Sequence, residues 1–130
     1  MYLAVCTRTV DKGVDSVISR FLSFDLEELA RSEGGEYVLG LKDLHTHSCY
    51  MIYGILQAGE GERLVKPGEG HEEILCAVGG SLAIHRNRGQ EILEQGHAIH
   101  VKEDESFFIS NPSDQPVVYI MAGGHSRPHH

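Results

Sequence analysis

The sequence predicts an all-β protein, either a barrel or a sandwich, with one short helix near its N-terminus. Roughly nine short apolar runs, separated by turns rich in Gly, Pro, Asn and Asp, follow one another at near-regular spacing. Strands do not alternate with long helical patterns, as they would in a parallel α/β fold. With 130 residues, 41% of them apolar, the chain is large enough to bury the core of one domain.

The N-terminal region contains the only predicted helix. Residues 1–24 carry two broken apolar pieces and predict an arm with one or two short strands. Residues 25–33 predict a helix, because Asp25 and Glu28 have the spacing of a capping box. Gly34 and Gly35 then end it.

From Glu36 onward the pattern is that of β-strands. The longest extended candidate runs from His45 to Gln57, and Arg86 to Gly89 predicts a hairpin turn. The predicted strands cover residues 37–41, 45–57, 64–65, 74–78, 81–85, 90–93, 98–101, 107–110 and 117–121.

Residues 67–80, with the sequence PGEGHEEILCAVGG, contain the strand around which the chain is organised. The apolar run from Ile74 to Val78, bounded by Gly79 and Gly80, predicts a strand buried on both faces. Because side chains alternate along a strand, Glu73 shares a face with Leu75 and Ala77, and Glu72 points away from it. A carboxylate entering an apolar strand indicates the mouth of a barrel or a site of chemistry.

Composition excludes several classes of function. A net charge of −8 argues against nucleic acid and anionic membrane surfaces as partners. No apolar run approaches the ~18 residues that a membrane helix needs. Three widely spaced cysteines, Cys6, Cys49 and Cys76, form no CxxC pair. They are expected to be reduced thiols, which predicts a cytoplasmic protein.

Two motifs resemble those of the cupin family. Glu73 and Gly80 have the spacing with which the first cupin motif ends, and Gly96 and Asn111 match the two ends of the second. The resemblance covers residues from about 50 to 122 and implies a cupin jelly-roll β-barrel with a short N-terminal helix and arm. The implied organisation is an arm and helix in residues 1–35, a barrel in 36–124 and a histidine-containing tail in 125–130.

The resemblance also implies where a metal site belongs, and there the sequence departs from the family. Metal-binding cupins use a His-x-His pair, the first-motif glutamate and a second-motif histidine. Here only Glu73 remains of the four, and Phe107 stands where the second-motif histidine is expected. A rearranged site of His45, His47, His71 and Glu73 would be chemically sensible, with His45 and His47 on one strand face. The alternative is that His45 and His47 are solvated polar residues on a loop or at a strand end.

Two functions therefore compete, beside a purely structural role. In the first, the barrel binds a small polar molecule such as a sugar or a carboxylic acid, as a sensor or carrier, with a degenerate or absent metal site. In the second, the rearranged site holds one divalent Zn, Ni, Fe or Mn ion for oxygenase, isomerase or decarboxylase chemistry. Glu73 is the candidate catalytic residue, as a general base. The resemblance also predicts a homodimer.

Overall fold

Nine strands and two short helices make up residues 21–126, the part of the chain that the computed structural model describes. The predicted arm, with its apolar pieces at residues 2–5 and 14–22, falls outside this range up to residue 20, and residues 21–24 form no strand. The elements are, in order, α1 (Leu26–Ser32), β1 (Glu36–Leu39), α2 (Leu41–Leu44), β2 (Tyr50–Leu56), β3 (Gly61–Val65), β4 (His71–Gly79), β5 (Leu82–Arg86), β6 (Gly89–Leu93), β7 (Ala98–Val101), β8 (Phe107–Ser110) and β9 (Val117–His125).

The strands form two antiparallel sheets that enclose one core. The five-stranded sheet has the order β1-β2-β9-β4-β7, and the four-stranded sheet has the order β3-β8-β5-β6. Both sheets contribute apolar side chains to the core, among them Leu56, Leu75, Ile109 and Tyr119. The all-β jelly-roll prediction is therefore confirmed.

Helix α1 begins and ends where its capping residues require. The Asp25 carboxylate accepts a hydrogen bond from the Glu28 amide at 3.1 Å, as an N-cap does. The turn after the helix uses Gly34 and Gly35, both with positive φ. Through Ala30 the helix packs on the outer face of β1 and β2, against Tyr37 and Ile55.

Strand β4 alternates as predicted but is covered on one face only. Glu73, Leu75 and Ala77 are buried on the core side, whereas Ile74 and Val78 are 52% and 40% exposed on the other. Within a single chain the prediction of burial on both faces is wrong, because an apolar run alone does not reveal what covers a strand. Cys76, on the same outer side, is half-buried.

Two further differences concern the candidate histidines. The segment predicted to start a strand at His45 instead ends α2, and His45 itself has a left-handed backbone with φ of 61°. Strand β9 continues to His125 and pairs that residue with His71, so His125 lies in the sheet and not in a tail. No helix in residues 21–126 is both long and apolar enough to cross a membrane.

Candidate functional site

The candidate site is built where β2, β9 and β4 lie side by side. Tyr50, Gly123 and Glu73 are register partners across these three strands. Because Gly123 has no side chain, the Tyr50 ring can cross it; a Cβ atom there would lie 2.0 Å from Tyr50 Cζ. The Tyr50 hydroxyl then donates a hydrogen bond to Glu73 Oε2 at 2.6 Å.

Glu73 is buried although it is ionisable. Glu73 is 5% exposed, and the Tyr50 hydroxyl is its hydrogen-bond partner. Among residues 21–126, none donates a hydrogen bond to the second carboxylate oxygen, Oε1. A buried carboxylate accepts several hydrogen bonds when fully satisfied, so Oε1 is available to a ligand.

Two imidazoles extend the site outward. The His71 ring meets the Tyr50 ring edge-on, with 5.4 Å between centroids. On its other side His71 stacks on His125, again at 5.4 Å, with 26° between the ring planes. These rings therefore form a continuous path from buried Glu73 to the exposed end of β9.

An open pocket of about 310 Å³ lies over this group, and we call it the Glu73 pocket. Its volume is at the lower end of the range for small-molecule sites. The residues that line it are Val38, Gly40, Leu41, Thr46, His47, Cys49, Tyr50, Gly68, His71 and Glu73.

The structure brings three of the four predicted metal ligands to the lining of one pocket. His47, His71 and Glu73 line the Glu73 pocket, whereas His45 is exposed at the end of α2. The prediction that His45 and His47 share a strand face is wrong, because they lie in a helix cap and a turn. Within the described range, no three His, Cys, Asp or Glu side chains are grouped closely enough to hold a metal ion.

The second-motif position is part of the core. Phe107 is 3% exposed, packs within the core and lies beneath the Arg86 guanidinium at 5.6 Å from the ring centroid. A phenyl ring offers a metal no donor atom, so the residues present do not fit the usual cupin metal site. Metal binding at the rearranged set stays a prediction.

Burial and Glu73 together change the acidity of Tyr50. Loss of solvent raises the pKa of the Tyr50 phenol, and the hydrogen bond to Glu73 and the repulsion between phenolate and carboxylate raise it further. Tyr50 therefore stays a neutral hydrogen-bond donor at neutral pH. Sequence analysis did not identify it, because the pairing of Tyr50 with Gly123 depends on strand register.

We expect Tyr50 to keep its proton where exposed tyrosines lose theirs, near pH 10. Because the folded-state pKa lies above the unfolded-state value, this group's stabilising contribution is present below about pH 10 and is lost as the pH rises further. NMR of the tyrosine ring Cζ resonances, assigned with Tyr50→Phe, measures the pKa. Glu73→Gln should lower it only in part, because burial is the largest cause. A Tyr50 pKa near the ordinary value of about 10 would contradict the burial of Tyr50 and its hydrogen bond to Glu73.

Comparison with known proteins supports the fold. The sequence matches no protein-family model and no curated protein. Among solved structures, it is similar to the Cupin_2 domain of an XRE family transcriptional regulator from Enterobacter cloacae, with 20% identity, a TM-score of 0.58, and coverage of 72% of this chain and 99% of that one. The chain has the cupin fold.

Two other solved structures show the same likeness. A cupin protein from Bacteroides fragilis has a TM-score of 0.61 at 18% identity over 73% of this chain and 80% of its own. A predicted oxalate decarboxylase from Thermotoga maritima has a TM-score of 0.55 at 20% identity over 69% of this chain and 80% of its own. At such identities the likeness is one of fold, and function has to be argued from the site.

Proposed function

We propose that this cupin domain binds a small polar molecule in the Glu73 pocket, as a sensor or carrier. The observation that carries the proposal is a buried carboxylate with an available oxygen, Glu73 Oε1, at an open pocket of about 310 Å³. Such pockets combine an apolar lining with a few polar groups that fix the orientation of the ligand. Here Val38 and Leu41 supply apolar surface, and Glu73 and His71 supply polar groups.

Amide chemical shifts in ¹⁵N-labelled protein test this proposal. We expect at least one compound from a panel of sugars, polyols, carboxylic acids and amines to shift the amides of Tyr50, His71 and Glu73 in a saturable way. The larger open groove lined by Lys66, His100 and Glu103 serves as the internal control site. Shifts confined to that groove, or none from any class of compound, would refute binding in the Glu73 pocket.

The second candidate is a metal-dependent enzyme of the oxygenase, isomerase or decarboxylase type. It is supported by the presence of His47, His71 and Glu73 around one pocket. These side chains are not grouped closely enough to hold an ion as they stand, so a metal would have to draw them together, with Glu73 as a ligand or as a general base. One structurally similar protein is described as a predicted oxalate decarboxylase, and another as part of a transcriptional regulator. Likeness of fold therefore does not decide between the two candidates.

Elemental analysis separates the two candidates. The protein should be compared with a variant ending at Ser126, which removes His129 and His130 but keeps His125 in β9. The enzyme requires about one transition-metal ion per chain that survives this truncation and is lost in Glu73→Ala. Metal that leaves with the tail, or remains in Glu73→Ala, would exclude the rearranged site.

We also propose that the domain pairs with a second copy through the outer face of β4. Helix α1 covers the β1 and β2 part of that face, leaving Ile74 and Val78 exposed. A two-fold arrangement would bury the same apolar side chains on both copies.

Light scattering after size-exclusion chromatography tests this pairing. We expect twice the chain mass of 14.4 kDa for the unmodified protein and the monomer mass for Ile74→Glu. Ile92→Glu is the matched control, because Ile92 is 50% exposed but lies on the other sheet. A monomeric unmodified protein, or dissociation by the control substitution, would contradict the proposal.

A further inference from the structure

We infer that the Glu73 pocket selects ligands that carry a protonated amine. The small polar molecule of the proposed function would then be an organic cation and not a neutral sugar or a carboxylic acid. This inference rests on the proposed binding function and narrows its ligand class.

The hydrogen-bonding state of Glu73 is the first reason. The carboxylate is 5% exposed, and its Oε2 atom accepts from Tyr50 at 2.6 Å. No donor among residues 21–126 reaches the second carboxylate oxygen, Oε1. A buried carboxylate oxygen without a donor is unfavourable, and an ammonium group supplies both the missing donor and the opposite charge.

The charge of the lining is the second reason. In the described part of the chain, neither lysine nor arginine lines the Glu73 pocket, and Glu73 is its acidic group. A carboxylic acid ligand would place its negative charge against Glu73 without a permanent positive charge to offset the repulsion. The chain as a whole carries a net charge of −8, which also disfavours anions.

The form of the pocket sets the size of the cation. Val38, Leu41 and Cys49 line it and offer apolar surface to the ligand's carbon skeleton. Its volume of about 310 Å³, at the lower end of the range for ligand sites, favours a small ligand. A short aliphatic amine fits this description, with the nitrogen at Glu73 and the carbon chain along the apolar wall.

The test uses three five-carbon probes that differ only in their end group: pentylamine, pentanol and pentanoate. Pentylamine is protonated at pH 7, as a lysine side chain is. We expect it to shift the amides of Tyr50, His71 and Glu73 and to bind at least about tenfold more tightly than the other two, because charge-assisted hydrogen bonds are the stronger kind.

Two substitutions that each remove one negative charge isolate the role of Glu73. Glu73→Gln should weaken pentylamine binding by about tenfold or more, to the level of pentanol. Glu72→Gln makes the same change in net charge on the opposite face of β4, where Glu72 contacts His100 at 2.6 Å. This control should leave the dissociation constant for pentylamine within about twofold, because exposed charges contribute little.

A third substitution keeps the test informative if Glu73→Gln does not fold. Tyr50→Phe removes the hydrogen bond at Oε2 but retains the carboxylate, so the preference for pentylamine over pentanol should persist. Loss of that preference in Tyr50→Phe, or its survival in folded Glu73→Gln, would overturn the inference.

The outcomes also distinguish this inference from the proposed function. If pentanol, pentanoate or a sugar binds at the same amides as tightly as pentylamine, the amine preference is refuted and the binding function stands. If neither these probes nor any compound of the wider panel shifts these amides, both are refuted.

Discussion

Gly54→Ala is expected to lower the free energy of unfolding by about 3 kcal/mol, because it overpacks the core. A Cβ atom at Gly54 would lie 2.0 Å from Cζ of Tyr119, a residue with no exposed surface. The Tyr119 hydroxyl also accepts from Arg63 at 3.0 Å and donates to Glu36. The ring therefore cannot move aside without breaking these two part-buried hydrogen bonds, which adds to the steric cost. Urea denaturation measures the change.

Two other glycines provide controls for this prediction. Gly123→Ala creates the same 2.0 Å clash with Tyr50, but that ring is half-buried and can swing toward the pocket. It should cost less than Gly54→Ala, about 1.5–2 kcal/mol, because the ring can move but its hydrogen bond to the Glu73 carboxylate is lost. At Gly89 the nearest atom to a new Cβ is 4.0 Å away, so Gly89→Ala should stay within about 0.5 kcal/mol of the unmodified protein. A similar cost for Gly54→Ala and Gly89→Ala would contradict the steric argument.

Gly54 and Gly123 belong to one repeated arrangement in the five-stranded sheet. Tyr50 crosses Gly123 to reach Glu73, and Tyr119 crosses Gly54 to reach Glu36. In each case a tyrosine bonds to a carboxylate two strands away, over a strand that presents only backbone. The first arrangement leaves a carboxylate oxygen available at the pocket. The second is completed by Arg63, which also pairs with Glu60 at 3.1 Å.

Local patterns were sufficient to predict the elements that depend on neighbouring residues. The capping residue Asp25 located α1, and alternation placed Glu73 toward the core. Strands β7 and β8 have the bounds that their turns indicated. Each of these features depends on residues close together in the sequence, and the two cupin motifs connected them into one fold.

The parts of the site that the sequence does not predict depend on pairing between distant strands or on a short irregular segment. The contact between Tyr50 and Glu73 requires the register of β2, β9 and β4, which a single sequence does not contain. Helix α2 has four residues, which is too few for a periodic pattern. The sequence pattern therefore places His45 and His47 in a strand. The rearranged metal site depended on that assignment.

Asn111→Asp is expected to lower the free energy of unfolding by about 3–5 kcal/mol at pH 7, because it leaves a buried charge uncompensated. The Asn111 amide nitrogen donates to the carbonyl oxygens of Leu56, Gln57 and Gln115 at 3.0, 3.0 and 2.6 Å. Its Oδ1 accepts from Ser113. In the variant, a carboxylate of the same shape would face three acceptors instead of donating to them. This second-motif residue thus joins the loops at the ends of β2 and β8, and urea denaturation measures its contribution.

The pH dependence of that loss identifies its cause. Facing three carbonyls, the new carboxyl should have a folded-state pKa above the unfolded value of about 3.9. The electrostatic cost is then absent below about pH 3.9 and grows as the pH rises toward the folded-state pKa. Unfolding at about pH 4 and pH 7, relative to the unmodified protein at each pH, should show the smaller loss at the lower pH. Asn87→Asp, in the exposed turn between β5 and β6, makes the same change of charge and should cost less than about 0.5 kcal/mol at both. A loss at position 111 that does not change with pH would show that packing, and not the buried charge, causes it.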